Sequence, residues 1–172
     1  VVHCQMLVKQ KIISKSEGSK ITLGLKKILQ EIKKGKMKFN PELEDIHMNI
    51  EFRLKQLIGE SAGKLHIARS RNDQIATDFK LWIKKSINTI DSNIVQISLT
   101  LVKKAEKHVF TVMPGLTHLQ NAQPVSFAHH LLSYYEMFKR DRARFSSVKK
   151  RLNKNPLGTG ALAGTSFPID RM

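Results

Sequence analysis

The sequence is poor in the residues that build disulfide frameworks, zinc sites and membrane spans. It holds one cysteine among 172 residues, and aromatic residues make up only 6% of it. A single cysteine cannot form an internal disulfide, and no Cys/His cluster has the spacing of a zinc site. The apolar start from Val1 to Val8 is interrupted by polar residues and is too short for a signal sequence or a membrane span. These absences favour a protein of the reducing cytoplasm.

Acidic residues are also scarce, with 14 Asp and Glu against 30 Lys and Arg, which gives a formal charge of +16. Such a charge attracts nucleic acids, anionic membranes or acidic metabolites. The basic residues are scattered along the chain in short pairs, and they form no dense tail with interleaved aromatic residues. This distribution is typical of solvated helix faces, so we expect neither a nucleic acid nor a membrane as the partner.

What the chain contains in abundance is helical periodicity. An apolar fraction of 41% with few aromatic residues favours helices over a β-sandwich. Apolar residues recur every three or four positions, which predicts helices over residues 1–10, 20–34, 41–58, 73–109 and 124–154. The sequence therefore predicts an all-α fold. The last two helices are so long that further chain or other subunits are needed to cover their apolar faces.

One stretch rich in polar groups precedes the first long helix. Residues 60–72 are predicted to form a loop that carries His66, Ser70, Arg71 and Asn72. Capping of the helix by Ser70 or Asn72 explains part of this cluster. Arginines at a helix N-terminus also make a site for a carboxylate, because the forked donors and the helix dipole act on the same charge.

A second polar stretch, Gly115–Pro124, is predicted to form a turn directly before the last helix. His118 can act as an acid or a base near neutral pH, and Thr117 and Gln120 can orient groups by hydrogen bonding. An isolated histidine in a turn is by default structural or exposed, so these residues alone leave the role of His118 open. The glycine-rich residues 155–168 lack the Gly-Lys-Ser/Thr ending of a phosphate-binding loop.

Four stretches, in the right order, resemble the argininosuccinate lyases of the fumarase and aspartase superfamily. They are Glu44-Asp-Ile-His-Met-Asn-Ile-Glu51, Gly63-Lys-Leu-His-Ile-Ala-Arg-Ser-Arg-Asn-Asp73, Pro114–His130 and Pro156–Arg171. The resemblance implies an all-α homotetramer whose active sites are shared between subunits. It also implies a small N-terminal helical domain, here residues 1–70, followed by the first long helices of a central bundle, here residues 71–172.

The activity implied by the resemblance is the reversible β-elimination of argininosuccinate to arginine and fumarate in arginine biosynthesis, in the cytoplasm and without a metal or organic cofactor. Such a reaction needs a base for a weakly acidic proton beside a carboxylate, donors for the resulting negative charge, and an acid for the departing nitrogen. The family's catalytic histidine falls on His118, and its substrate contacts fall on Arg71, Asn72 and Thr117. Supporting groups are expected at His66, Ser70 and Gln120.

A few positions depart from the family pattern or stay open. Ile67, Leu116 and Asn121 stand where family members usually have Thr, Tyr and Arg. His129 and His130, at the start of the last predicted helix, fit packing or subunit contacts as well as a role in the site. These departures affect local contacts and leave the resemblance as a whole intact.

Two segments of the family pattern are missing from this sequence. Family members carry an earlier Gly-Gly-Arg-Phe segment with a substrate-binding serine, and a later Gly-Ser-Ser loop whose serine is assigned as the base. Neither segment occurs here. We therefore expect a fragment that lacks the N-terminal start and the C-terminal half and that is inactive by itself.

Three other functions remain open on the sequence alone. One is another lyase of the superfamily, such as adenylosuccinate lyase or fumarase, which turnover of the respective substrates distinguishes. Another is a non-enzymatic role, since some lens crystallins resemble the same enzyme. The last is a basic helical module that binds nucleic acid or other anionic partners, which salt-dependent binding to duplex DNA would reveal.

Overall fold

In the computed structural model, which describes residues Val1–Arg171, the chain forms five α-helices, one 3-10 helix and one β-hairpin. In chain order the elements are α1 (Val2–Lys9), α2 (Lys15–Lys33), α3 (Ile46–Ile58), the 3-10 helix Gly59–His66, α4 (Arg71–Lys107), β1 (Val112–Thr117), β2 (Gln120–Ser126) and α5 (Phe127–Arg151). The predicted all-α class is confirmed, with the antiparallel hairpin as a small addition. Within this range no helix is long and apolar enough to cross a membrane. Met172, the end of the predicted second domain, lies outside the described residues.

The chain divides into two compact units. The first comprises Val1–Ala76 and the described residues from Pro156 onward, and the second comprises Thr77–Asn155. Helix α4 therefore belongs to the first unit in its opening turns and to the second unit in the rest of its length.

The first unit is built around one apolar core, to which α1, α2, α3 and the 3-10 helix all contribute. Its buried members are Cys4, Leu7, Ile13, Ile21, Ile28, Leu54, Ala62, Leu65 and Ala68. Gly24 lets α3 come close to α2, because a Cβ at Gly24 would lie 2.5 Å from Cδ1 of Leu54. Full burial of one such leucine contributes about 1.5–3 kcal/mol, so this core is the main source of stability in the unit.

Helix α2 begins five residues earlier than predicted, because Ser14 and Glu17 form a capping box. The Ser14 hydroxyl accepts a hydrogen bond from the Glu17 backbone N–H at 3.2 Å, and the Glu17 carboxylate accepts one from the Ser14 N–H at 3.0 Å. Lys64 donates to the other oxygen of Glu17. The hydrogen bond from Lys64, followed by those from Ser14, lowers the pKa of Glu17 from 4.5 to about 2.

Helix α3, in contrast, begins at Ile46 and not at Pro41, so the first five residues of that predicted helix are wrong. The buried side chain of Asn49 accepts from the Asn40 N–H at 2.7 Å and donates to the carbonyls of Asn40 and Asp45 at 3.2 and 2.9 Å. These bonds stabilise a turn ahead of the helix. The Asp45 side chain then caps α3.

The buried carboxylate of Asp73 holds the glycine-rich segment in the first unit. Its Oδ2 accepts from the N–H groups of Gly158 and Gly160, both at 2.9 Å, and its Oδ1 accepts from the Ser70 N–H at 3.0 Å. The two glycines have φ values of 97° and 62°, which bring both N–H groups to one oxygen. The amides of this segment are thus bound to a carboxylate of the chain itself.

The second unit is an antiparallel pair of helices joined by the hairpin. Arg142 on α5 donates two hydrogen bonds to Asp91 on α4, at 2.6 and 3.2 Å. Near the hairpin, Ala105, Ala128 and Leu131 form a small buried cluster. Many large apolar side chains of the two helices remain exposed, among them Phe79, Leu81, Trp82, Ile90, Ile97, Leu99, Leu132 and Met137.

Replacement of Asp73 by Asn tests the carboxylate that binds three backbone N–H groups. The amide NH2 of Asn would face a donor, so we expect Asp73→Asn to lower the free energy of unfolding of the first unit by about 1–3 kcal/mol. Native-state hydrogen exchange should also show faster exchange of the Gly158 and Gly160 amides. Asp141→Asn, at a partly exposed side chain of α5 that pairs with Arg144, is the control and should cost less than about 0.5 kcal/mol. Unchanged protection of the two glycine amides would contradict this role of Asp73.

The lowered pKa of Glu17 predicts an acid-sensitive contribution to stability. Because the folded pKa of about 2 lies below the ordinary value of 4.5, the stabilisation is complete above pH 4.5 and is lost as the pH falls from 4.5 towards 2. Glu17→Gln lacks the charge, so its free energy of unfolding should fall less than that of the wild type across this window. Hydrogen exchange of α2 amides as a function of pH measures the difference. Glu60→Gln, at a side chain that is 91% exposed, serves as the control. Parallel curves for wild type and Glu17→Gln would refute the prediction.

Candidate active site

The predicted site residues fall into two groups, one in each unit. The first group lies where the 3-10 helix ends and α4 begins, and consists of His66, Ser70, Arg71 and Asn72. The second group lies at the tip of the hairpin, and consists of Thr117, His118 and Gln120.

Ser70 sets the start of α4. Its hydroxyl accepts from the Asn72 N–H at 3.2 Å, while its own N–H donates to Asp73 at 3.0 Å. The predicted capping role is thus confirmed for Ser70. The predicted loop ahead of it is wrong up to His66, because these residues form a 3-10 helix. Asn72 is exposed in the first turn of α4, where the helix dipole favours an anion.

The carboxylate of Glu51, on α3, is the centre of the first group. Its two oxygens accept from Nη1 and Nη2 of Arg71, each at 3.1 Å. Nη2 of Arg69 lies 3.5 Å from Oε1, and Nδ1 of His66 lies 3.3 Å from the same oxygen. Glu51 was not predicted as a site residue. The feature of the sequence that points to Glu51 is its position four residues after His47, which puts both side chains on one face of the helix.

Arg71 has further partners that limit what it can offer to a ligand. Its Nη1 donates to Oε1 of Gln74 at 2.8 Å, and its Nε lies 3.4 Å from Oδ2 of Asp45. A guanidinium group has five N–H donors, and the hydrogen bonds to Glu51 and Gln74 use three of them. The carboxylate expected beside the arginines is therefore present within the chain, in the form of Glu51.

The charges of this cluster compensate one another. The cations Arg69 and Arg71 face the anions Asp45 and Glu51, at N–O distances of 3.1–3.5 Å. The Arg69 side chain is only 9% exposed and that of Arg71 25%. A buried guanidinium needs such a partner, because desolvation without one is costly.

His118 lies in the two-residue turn of the hairpin and is exposed. His118 and Leu119 have φ values of 51° and 63°, the conformation of a type I′ turn, and Thr117 pairs with Gln120 across it. This conformation costs a residue with a side chain about 1–2 kcal/mol, which strand pairing has to offset. A strained histidine at an exposed tip is a candidate functional group.

The stretch Gly115–Pro124 is predicted to lie directly before a helix that starts at Pro124. This prediction is wrong. Residues up to Ser126 form β2, and the Ser126 hydroxyl caps α5 by accepting from the His129 N–H at 3.1 Å. The helix therefore starts at Phe127. Gly115 is required within the hairpin, because a Cβ there would lie 2.5 Å from the carbonyl oxygen of Gln123.

The two histidines of α5 whose roles the sequence leaves undecided, His129 and His130, have different surroundings. His130 lies in a row of aromatic rings, 6.2 Å from the ring centre of Phe127 and 5.3 Å from that of Tyr134. His129 is exposed on the helix surface. His130 thus packs within the second unit. Among residues 1–171, no three His, Cys, Asp or Glu side chains are grouped so as to share a metal ion.

Comparison with known proteins agrees with the motifs. A protein family described as lyase matches residues 1–172. Curated argininosuccinate lyases of Ehrlichia ruminantium (strain Welgevonden) and Maricaulis maris (strain MCS10) are 58% and 53% identical to the chain over 171 residues. These alignments cover 99% of this chain but only 37% and 36% of the two relatives. The chain thus spans little more than a third of their length.

Solved structures agree on the fold. EDDS lyase in complex with formate superposes with a TM-score of 0.82 at 28% identity, over 98% of this chain and 33% of that chain. A fumarate lyase:delta crystallin from Brucella melitensis bound to cobalt gives a TM-score of 0.80 at 17% identity, over 98% and 40%. At that identity the second structure supports the fold alone. Because the family match extends over the whole sequence, this chain belongs to the lyase family.

Proposed function

We propose that this chain forms part of an argininosuccinate lyase, which cleaves argininosuccinate reversibly to arginine and fumarate in arginine biosynthesis. The observation that carries the proposal is the 58% identity to a curated argininosuccinate lyase over 171 residues. Residues 1–70 then belong to an N-terminal helical domain, and residues 71–172 to the start of a central bundle. The substrate is an acidic small molecule, which agrees with the basic composition of the chain. The protein would be located in the cytoplasm, which suits a chain with one cysteine.

The proposed catalytic residue is His118. In a β-elimination, a base removes the proton beside a carboxylate, the electron pair forms the new C=C bond, and the C–N bond to the leaving group breaks. An acid then protonates the departing guanidino nitrogen. An imidazole can take either part near neutral pH, and the exposed hairpin tip presents it to a substrate.

The proposed substrate contacts are Asn72, Thr117 and Arg71. Asn72 is exposed at the positive end of the α4 dipole, which favours a substrate carboxylate. Thr117 is exposed beside His118 and can orient the reacting group. The hydrogen bonds of Arg71 to Glu51 and Gln74 leave it at most two N–H groups for a substrate. The supporting residues are His66, which contacts Glu51, Ser70, which caps α4, and Gln120, which pairs with Thr117.

A homotetramer with shared active sites is the second part of the proposal. The long helices α4 and α5 expose large apolar side chains, including Trp82 at 63% and Phe79 at 59%. Helix surfaces of this kind are stabilised when other helices pack on them, as in a bundle of several subunits. In such an assembly, the hairpin of one subunit would supply His118 to the first group of another.

One observation favours a different lyase as the alternative. EDDS lyase, whose structure superposes with a TM-score of 0.82, is 28% identical to this chain. Since the argininosuccinate lyases are about twice as similar, argininosuccinate is the first substrate to test, with adenylosuccinate as the comparison within the superfamily.

A chimera tests the proposed function. We would replace the matching third of the Ehrlichia ruminantium argininosuccinate lyase by residues 1–172 of this chain and follow fumarate by its ultraviolet absorbance. We expect the chimera to turn over argininosuccinate, and His118→Ala to lower kcat by about 10²-fold or more, the usual contribution of an acid/base group. His129→Ala, at an exposed histidine of α5, is the matched control and should retain activity.

Two results would overturn the proposal. One is a chimera that assembles as a tetramer and turns over adenylosuccinate but not argininosuccinate. The other is a His118→Ala chimera as active as the His129→Ala control. The 172-residue chain by itself should release no more fumarate than its own His118→Ala variant, because its sequence holds no Gly-Ser-Ser loop.

A further inference from the structure

Gln74 bridges Arg71 of the first group and His47 of α3. It lies in the opening turns of α4, where its Oε1 is 2.8 Å from Nη1 of Arg71. Its Nε2 is 3.0 Å from Nδ1 of His47, a residue of α3. Both hydrogen bonds are partly buried, so less water competes with them. Gln74 thereby connects the arginine of the first group with a second histidine.

The chemistry of Arg71 determines the orientation of this amide. A guanidinium group only donates, so the atom of Gln74 that faces it has to be the carbonyl oxygen. The amide nitrogen then faces His47, and because an NH2 group also only donates, Nδ1 of His47 has to accept. A neutral imidazole that accepts at Nδ1 carries its proton on Nε2.

Arg71 is itself held in place from α3. Glu51 accepts from both of its terminal nitrogens at 3.1 Å, and Asp45 lies 3.4 Å from its Nε. Glu51 and His47 belong to the same helix. The contacts therefore form a closed path from α3 through Arg71 and Gln74 of α4 and back to α3, so that Gln74 cannot rotate without losing bonds at both ends.

We propose that Gln74 is a positioning residue of the proposed lyase site, whose amide, oriented by Arg71, keeps His47 as the neutral imidazole with its proton on Nε2. The role in catalysis rests on the proposed function. In this form His47 is a hydrogen-bond donor at Nε2, and it cannot accept a proton at Nδ1 without losing its bond to Gln74. A donor with a fixed orientation suits a substrate that gains negative charge beside a carboxylate, because it needs no rearrangement during the reaction. The two histidines then have separate tasks, with acid/base chemistry at His118.

The position of the proton can be measured directly in the 172-residue chain. The ¹⁵N chemical shifts of the ring nitrogens distinguish the two tautomers at about pH 8, where unperturbed histidines are neutral. Comparison with a His47→Gln variant assigns the His47 signals among the seven histidines. We expect Nδ1 of His47 to be unprotonated and Nε2 to be protonated.

Gln74→Glu reverses the hydrogen-bond requirement on Nδ1 of His47, which would then have to donate. The new carboxylate still accepts from Arg71, but it offers an oxygen to His47, so the proton of His47 should move to Nδ1 or the ring should become charged. Gln96→Glu makes the same change on the exposed surface of α4 and is the matched control. If Gln74→Glu does not fold, Gln74→Met keeps the length of the side chain without its hydrogen bonds, and His47 should then show both tautomers.

Kinetics of the chimera decide whether the tautomer matters for the reaction. Gln74→Glu should lower kcat/KM for argininosuccinate by about tenfold or more, since a histidine in the wrong tautomer loses its function at an active site. Gln96→Glu should leave it unchanged. An unchanged proton position in the Gln74 variants overturns the inference, and so does a switched tautomer with unchanged kinetics. A wild-type chimera without lyase activity overturns the proposed function itself.

Discussion

The architecture around the first group depends on the buried carboxylate of Asp73. A buried charge has to be compensated by hydrogen bonds, and Asp73 obtains three of them from backbone N–H groups of Ser70, Gly158 and Gly160. The two glycines are 85 and 87 residues away in the sequence, so this carboxylate joins the glycine-rich segment to the start of α4. It also holds Ser70, which caps α4. The direction of the first turn, and with it the positions of Arg71 and Asn72, follow from this arrangement.

Around this start of α4, the basic protein carries a cluster whose charges cancel. A formal charge of +16 suggests cationic residues available to ligands. At the start of α4, however, Glu51 and Asp45 already bind the guanidinium groups of Arg69 and Arg71. Asn72, which is exposed there, carries no charge. The two arginines orient neighbouring side chains, and their positive charge is compensated by Glu51 and Asp45.

Local sequence signals were sufficient for the helices but not for their exact starts. The three-and-four spacing of apolar residues predicts α2 and α4, because burial of one helix face dominates there. The start of α3 was missed because the side chain of Asn49 binds the backbone of Asn40, nine residues earlier, and stabilises a turn. The hairpin was missed because its turn places positive φ values on His118 and Leu119. Such turns are normally recognised by glycine or asparagine, and this one has neither.

The sequence by itself determined the helical class, the family and the identity of the candidate residues, because these follow from periodicity and from the order of side chains in continuous motifs. Only the tertiary structure decided which partners these residues have. Arg71 lies 20 residues from Glu51, and Gln74 lies 27 residues from His47. Their contacts exist because the first unit brings α3 alongside the start of α4. The orientation of the Gln74 amide then follows from the rule that a guanidinium only donates, which applies only once the atoms are in place.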